Sequence, residues 1–535
     1  MSYTTAESRW RHLEKLRSTP LRRAIDCSKL TIPSCIPESD QNYGSLPQTY
    51  NKLPSLYQGV GSRGVAGLTS KISLALYPPS QPFFRLVMDK GKIERQLAQA
   101  GQSVEDIESQ IDLKLASFER MVMQKLDELQ ARPALFEAVR HLIIGGNALL
   151  HVGQDSIRMF GLRSYVVDRD PEGNVRELVI REQVSPEFLP VSTSEREKET
   201  DEFCDLYTHV TMDPDEDRCE WFQEYDGRKL QGQSGFSKMD ACPFIVCRLH
   251  RTAGDAFGRG IVEEALGDLQ SLESLSQAIV QGSLIAAKAV ALVNPNGTTR
   301  ADAISRAENG AVVAGNAADV EFLQVQKQSD FATALQTMQI IEKRLNFVFL
   351  NNEAATRDAS RVTAEEIRLM ATQLEAGLGG TYSVLAHELQ LPLIKRVMHL
   401  MSKDGALPDM PKGLVQPVVQ TGLEAIGRGN DKARLTNFIQ TIGASLGPEA
   451  LTQYVNPSEL IRRFAASDGI DTDGLVKSDA ELKSEQAQQQ QLQLEQQLAE
   501  GAIANGSATA TPVPPEPQDG GGAEAAGVPA AVPQG

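Results

Sequence analysis

The sequence predicts a mainly α-helical chain carrying a β-rich insert, an α+β protein, and three patterns predict it. Apolar residues recur at spacings of three and four along most of the 535 residues, which is the period of a helix with one buried face. Between Val152 and Leu249 the period changes to two, and turn clusters such as Asp170-Pro171-Glu172-Gly173-Asn174 separate the runs. The composition, 41% hydrophobic and 23% charged, is that of a folded globular chain.

Taken in order, Trp10, Leu13 and Leu16, then Leu21 and Ile25 beyond Pro20, predict two short amphipathic helices between Ser8 and Leu30. They carry Arg9, Arg11, Lys15, Arg17, Arg22 and Arg23, which reads as a solvated basic face ahead of a nucleic-acid contact. Residues 31–58 hold Pro33, Pro37, Pro47 and Pro54 and read as loop. Helices are predicted at 59–76, 91–130 and 132–150, the last with Pro133 in its first turn.

In the insert of about 100 residues, strands are predicted around Ser164–Val167, Leu178–Ile180, Leu206–Val210 and Phe244–Cys247. Helix resumes with Ile261, Ala265, Leu269, Leu272, Leu275 and Ile279 until Asn294-Pro295-Asn296-Gly297 ends it, and a second helix carries Phe331, Leu335, Met338, Ile341, Leu345 and Val348. The piece between them, 294–327, has strand-like Ala311–Val313 and Val320–Leu323, so two long antiparallel helices with a small β-containing tip are expected. In both helices the apolar stripe is too regular for solvated surface, and Ile261, Leu269, Leu272, Phe331, Leu335 and Leu345 are expected to pack between helices or between copies of the chain.

After a polar stretch, 351–361, the capping box Thr363-Ala364-Glu365-Glu366 starts a long helix reaching Pro392, with Gly377, Gly379 and Gly380 predicting a kink or a close helix contact. Shorter helices are predicted around 421–466. Eight Gln lie between 486 and 497, in a stretch compatible with helix, while 501–535 is rich in Ala, Gly and Pro and has no reason to order alone.

Net charge is −17, and residues 478–535 contribute eight acids against one base, which disfavours a protein that coats DNA by neutralising phosphates. No stretch resembles a signal peptide or membrane span. The six cysteines, at 27, 35, 204, 219, 242 and 247, lack C-x-x-C spacing and predict reduced thiols, with Cys242 and Cys247 on opposite sides of one strand. Gly59-Val60-Gly61-Ser62-Arg63-Gly64 has G-x-G-x-x-G spacing, but no apolar strand leads into it, so tight helix entry and packing is the preferred reading over a phosphate cradle. Asp471-Thr472-Asp473-Gly474 has the glycine of a calcium loop too early, and Asp213–Asp217 reads as a hydrated hairpin tip. His387-Glu388 lacks a second histidine. No catalytic constellation, cofactor or metal is predicted.

Several blocks together resemble one family, the portal or head-to-tail connector proteins of short-tailed phages, podoviruses of the Autographiviridae type. They are Leu30–Ser34, Gly61–Gly64 through Leu74–Pro78, Phe136–Ala138 through Gly146–Leu150, and Ser164–Val167. Further on are Ala241–Pro243, Gly267–Leu269 with Leu292–Pro295, Arg361–Arg368, Glu388–Pro392 and Thr421–Gly429. The blocks span most of 30–435; residues 187–203 and everything after 480 depart from the family pattern, and Ala359 stands where that pattern has Gly.

The resemblance implies a ring-forming portal fold: a wing at 1–255 including the insert at 152–250, a stem helix at 256–293, a clip at 294–327 and a second stem helix at 328–350. A tunnel loop at 351–361, a long wing helix at 362–400, a crown at 401–480, a barrel helix that could form at 481–500 and a disordered tail at 501–535 complete it. It implies a non-enzymatic homododecamer at one capsid vertex, assembled in the host bacterial cytoplasm, through which double-stranded DNA is packaged and ejected. The implied partners are the large terminase subunit, the major capsid and scaffolding proteins, the tail adaptor and the internal core proteins, with no membrane. Arg357 and Arg361 of the tunnel loop are the implied DNA contacts. Two rivals stand beside it: a nucleotide-binding enzyme using Gly59 to Gly64, and a helical scaffold or adaptor that never closes into a ring.

Overall fold

The structure is a computed structural model. It describes residues 5–38, 54–78, 82–88, 104–185, 204–287, 290–308, 310–323, 328–351, 380–407, 415–419 and 435–445, with Leu189, Gly447 and a few positions between 455 and 464. The chain divides into two units, 1–427 and 428–535, and of the second a helix at 435–445 is described.

Helix α1 (Ala6–Lys29) opens on a capping box between Thr5 and Ser8 and runs unbroken through Pro20. Two helices are expected there, and one forms because its halves are anchored separately. Trp10 and Leu13 pack on Val166, Val179 and Tyr207, whereas Ala24 and Cys27 enter the main core, so the single bond that Pro20 cannot donate is outweighed. Arg11, Lys15 and Arg22 form the expected solvated face, whereas Arg9 and Arg17 turn inward. Arg9 pairs with Glu177 at 2.6 Å and Asp168 at 3.1 Å, and buried Arg17 donates to the carbonyls of Leu162, Arg163 and Tyr165 at 3.0, 2.5 and 3.0 Å.

Helix α2 (Val60–Leu76) shows why glycines fill its first turns. A side chain at position 61 would strike the Leu30 carbonyl oxygen at 2.5 Å and one at 64 the ring of Phe349 at 2.5 Å, so the G-x-G-x-x-G spacing serves close packing. Strand β1 (Phe84–Met88), not expected from the sequence, pairs antiparallel with β12 (Val415–Val419), a segment assigned above to the crown. Helices α3 (Val104–Glu128) and α4 (Ala131–Gly145) follow.

The helix predicted to reach 150 stops at Gly145. Gly146 turns left-handed at φ 72°, where a Cβ would strike the backbone of Arg259, and Asn147 ties the corner by exchanging hydrogen bonds with Gly258 at 2.7 and 2.9 Å. Residues Asn147–Val152 are instead β2, the centre of a three-stranded antiparallel sheet between β3 (Ile157–Phe160) and β9 (Phe244–Arg248).

The insert also forms a five-stranded meander: β4 (Tyr165–Arg169), β5 (Val175–Val184), β6 (Cys204–Asp213), β7 (Arg218–Tyr225) and β8 (Arg228–Ser237), each antiparallel to its neighbour. Asp213–Asp217 is the β6–β7 turn, where the Asp213 carboxylate accepts from the backbone N–H of Asp215 at 3.0 Å.

The first long helix comes in two pieces, α5 (Ile261–Glu264) and α6 (Leu266–Ala287). It ends before 293, because Val290–Val293 forms β10 and pairs with β11 (Val320–Leu323). Four consecutive apolar residues suit a strand as well as a helix, and the partner strand decides. Ala311–Val313 is not a strand; Val312 is fully exposed.

After the short helix α7 (Ala301–Ser305), helix α8 (Gln328–Val348) returns along α6. The helix expected to end at Pro392 is described from 380, widens into a π turn at Ala386–Gln390, and continues as α9 (Leu391–Lys403). Pro392 lacks the N–H that would close the ordinary turn, so a widened turn directly before it lets the helix pass. Two buried bonds hold the widened turn: Glu388 grips Arg248 at 2.7 Å, and Gln390 donates to the Leu76 carbonyl at 2.7 Å.

Candidate functional site: an apolar helical hairpin

The hairpin of α6 and α8 is rooted in the main core. Leu269 and Leu272 of α6 are wholly buried there with Ile341 and Leu345 of α8 and with Phe349 beyond it, and Ile261 of α5 joins them. Arg344 and Asp268 close its base at 2.7 Å. Phe331 is half-buried across α6 from Gly282, where a side chain would strike the ring at 2.6 Å, so glycine at 282 lets the two helices approach.

Toward the tip, the stripe that buries Leu269, Leu272 and Ser276 continues at four-residue steps into Val280 and Leu284, and these are exposed, Leu284 by 61%. Ile285 is exposed beside it. On α8, Leu335 is 52% exposed, while Ile340 and Phe347, seven residues apart on a side that does not carry Ile341 and Leu345, are 60% and 77% exposed. Of the six packing residues predicted from the sequence, five thus lie wholly or partly buried within the chain and Leu335 points outward. The outer row of Val280, Leu284, Ile285, Ile340 and Phe347 was not picked out by the sequence reading; its signal was that apolar residues of both helices outnumber those one partner helix can cover.

At the far end the β10–β11 ribbon carries a polar knot. Asp319 accepts from the Thr298 and Thr299 backbone N–H groups at 2.8 and 3.1 Å and from both hydroxyls. Slight desolvation raises its carboxyl, but these bonds from Thr299 and Thr298 outweigh it and hold the group below the usual range. The knot fixes the loop that links the two helices.

Arg357 and Arg361 lie outside the described residues, as do Asp471–Gly474, residues 352–379, the Gln-rich stretch and the tail. Among the described residues no group of three or more His, Cys, Asp or Glu side chains could hold a metal ion, and no helix is long and apolar enough to cross a membrane.

A rooted hairpin with exposed apolar side chains and a polar tip has the surface chemistry of a protein-contact module. The comparison with known proteins says of which kind. Residues 3–476 match the family described as bacteriophage head to tail connecting protein, and the chain belongs to that family. It is similar to the portal protein of Escherichia phage T7, 37% identical over 495 residues and 90% of each chain, and to that of Enterobacteria phage T3, 37% identical over 479 residues and 87% of each. The portal protein of Pseudomonas phage phiKMV is 30% identical over 91% of this chain and 94% of its own. The virion of a native gene transfer agent particle aligns over 77% of this chain and 90% of that one at 12% identity and a TM-score of 0.34, too distant to argue from. The chain is thus a portal connector of the podovirus type.

Proposed function

We propose that the chain is the repeating subunit of a closed ring of about twelve copies at one capsid vertex, whose axial channel passes double-stranded DNA during packaging and ejection. The observation that carries this reading is the outer row of α6 and α8. Six large apolar side chains exposed on a hairpin anchored at its base, the row's five and Leu335, suit a heterologous contact, in which one face of each copy meets a different face of the next and the rotation closes.

In this reading α6 and α8 are the stem and residues 294–327 the clip, which would meet the large terminase subunit and later the tail adaptor. The preceding 255 residues would be the wing, facing major capsid and scaffolding proteins, and the segments beyond 400 the crown, facing internal core proteins. Arg357 and Arg361 would brush passing phosphates without reading bases. The net charge of −17 fits a conduit that must release DNA rather than hold it. Assembly would take place in the host cytoplasm and the final location would be the virion vertex.

Native mass measurement on the purified full-length chain tests the ring, with about twelve copies in one closed species expected. A monomer at all concentrations would favour the non-ring adaptor. Replacing Arg357 and Arg361 together with alanine should leave rings intact and impair DNA packaging or retention; parental packaging would remove their contact role.

A further inference from the structure

The assembly reading makes no use of the buried thiols, and one of them is not where the sequence puts it. Cys242 does not share a strand with Cys247. It closes the short 3₁₀ turn Met239–Ala241, and its sulfur meets that of Cys219 on β7 at 2.8 Å. A disulfide spans about 2.05 Å, so little movement separates the pair from a bond. Both lie in the core, Cys219 fully covered and Cys242 with 8% of its surface open.

The remaining described cysteines are differently placed. Burial pushes the thiols of Cys27, Cys35 and Cys247 up to about 12, and Cys247 donates to the Ala148 carbonyl at 3.3 Å. Cys242 goes the other way. A hydrogen bond from Cys219 and one at the Phe244 backbone, helped by the charge of Arg396, outweigh burial and hold its thiol below the usual value, while Cys219 is raised as the proton holder of the pair. Arg396 is fixed there by the carbonyls of Ala241 at 2.9 Å and Val152 at 3.3 Å.

We propose that Cys219 and Cys242 form a peroxide-responsive dithiol that closes to a disulfide, stapling β7 of the five-stranded sheet to the turn that leads into β9 of the three-stranded one. The oxidant is hydrogen peroxide, small enough to reach a sulfur with little open surface. The Cys242 thiolate attacks one peroxide oxygen, the O–O bond breaks, and a sulfenic acid and hydroxide form. Cys219 then attacks the Cys242 sulfur, the S–S bond forms, and the sulfenic oxygen leaves as water. Two thiols lose two protons and two electrons, and one peroxide becomes two waters. The stapled turn is the one α9 rests on through Lys395 with Asp240 at 2.6 Å and through Arg396, so the bond would lock the insert to that helix.

The test is peptide mapping of the full-length chain in its native assembly, treated with hydrogen peroxide, quenched, and denatured in iodoacetamide. The expected result is a linked pair of peptides containing Cys219 and Cys242, lighter than their sum by two hydrogens, about 2 Da, with Cys27 and Cys247 alkylated. Recovery of Cys219 and Cys242 as alkylated thiols, or of Cys242 as sulfinic acid without a link, overturns the proposal. In Cys219→Ser the sulfenic acid has no partner and should be trapped by dimedone at Cys242; absence of that adduct in a folded variant also overturns it.

Discussion

Replacing Glu388 by alanine should destabilise the chain by about 3–5 kcal/mol, because it strands a buried guanidinium. Arg248 is almost wholly covered, its side chain 3% exposed against 12% for Glu388. The carboxylate accepts from the Arg248 backbone N–H at 2.8 Å, from Nη2 at 2.7 Å and from Nε at 3.3 Å. After the substitution Arg248 keeps only the carbonyls of Asp255 at 3.2 Å and Gly173 at 3.3 Å, neither of which offsets its charge. Lys395 with Asp240 is a useful contrast: 74% of the aspartate side chain is exposed, so Asp240→Ala should cost at most about 1 kcal/mol. Urea unfolding followed by the fluorescence of Trp10 and Trp221 reads both. Arg248→Met combined with Glu388→Leu should recover much of the loss, since an apolar pair leaves no charge unpaired. A Glu388→Ala cost below about 1 kcal/mol, or full additivity in the double variant, would refute the argument.

Leu272→Asp places a charge where Leu272 has no exposed surface, and should abolish rings together with the hairpin root; normal rings from it would contradict the packing described. Leu284→Asp, on the exposed row, should leave the monomer's unfolding midpoint within about 0.5 kcal/mol of parent while shifting native mass to small species. His141 is held to about 4 by burial and by Arg140, against 6.5 when unfolded, so below pH 6.5 the unfolded chain binds a proton that the folded chain refuses until about pH 4. Stability should therefore fall from pH 6.5 to 4, by roughly 3 kcal/mol from this group, and His141→Leu should flatten that slope; an unchanged slope would show the histidine is not its source. Gly64→Ala should cost about 1–3 kcal/mol by pressing a methyl into the buried Phe349 ring, read as a lower urea midpoint; a neutral effect would mean α8 yields freely.

Element types are legible in the residue pattern wherever burial repeats at a fixed step. Leu178-Val179-Ile180 and Leu206–Val210 announce strands, and the stripes through Leu269 and Leu345 announce the paired helices. Family membership was equally legible, because it resides in blocks such as Gly61–Gly64 and Glu388–Pro392. Some of those blocks have a physical reason that only contacts disclose: Gly64 is needed by Phe349, and Glu388 by Arg248.

Pairings between distant parts of the chain emerge only once the chain is folded. Val415–Val419 is too short to declare itself a strand until Phe84–Met88 lies beside it, and Val290–Val293 leaves the helix for the same reason. Arg17 reads as one charge of a solvated face until three carbonyls from the β4 region surround it. Cys219 and Cys242 are separated by a whole hairpin and meet only when two sheets are assembled. A periodic pattern says that a side chain is buried or paired but not by what, because the partner's identity is set by chain paths that fix themselves together.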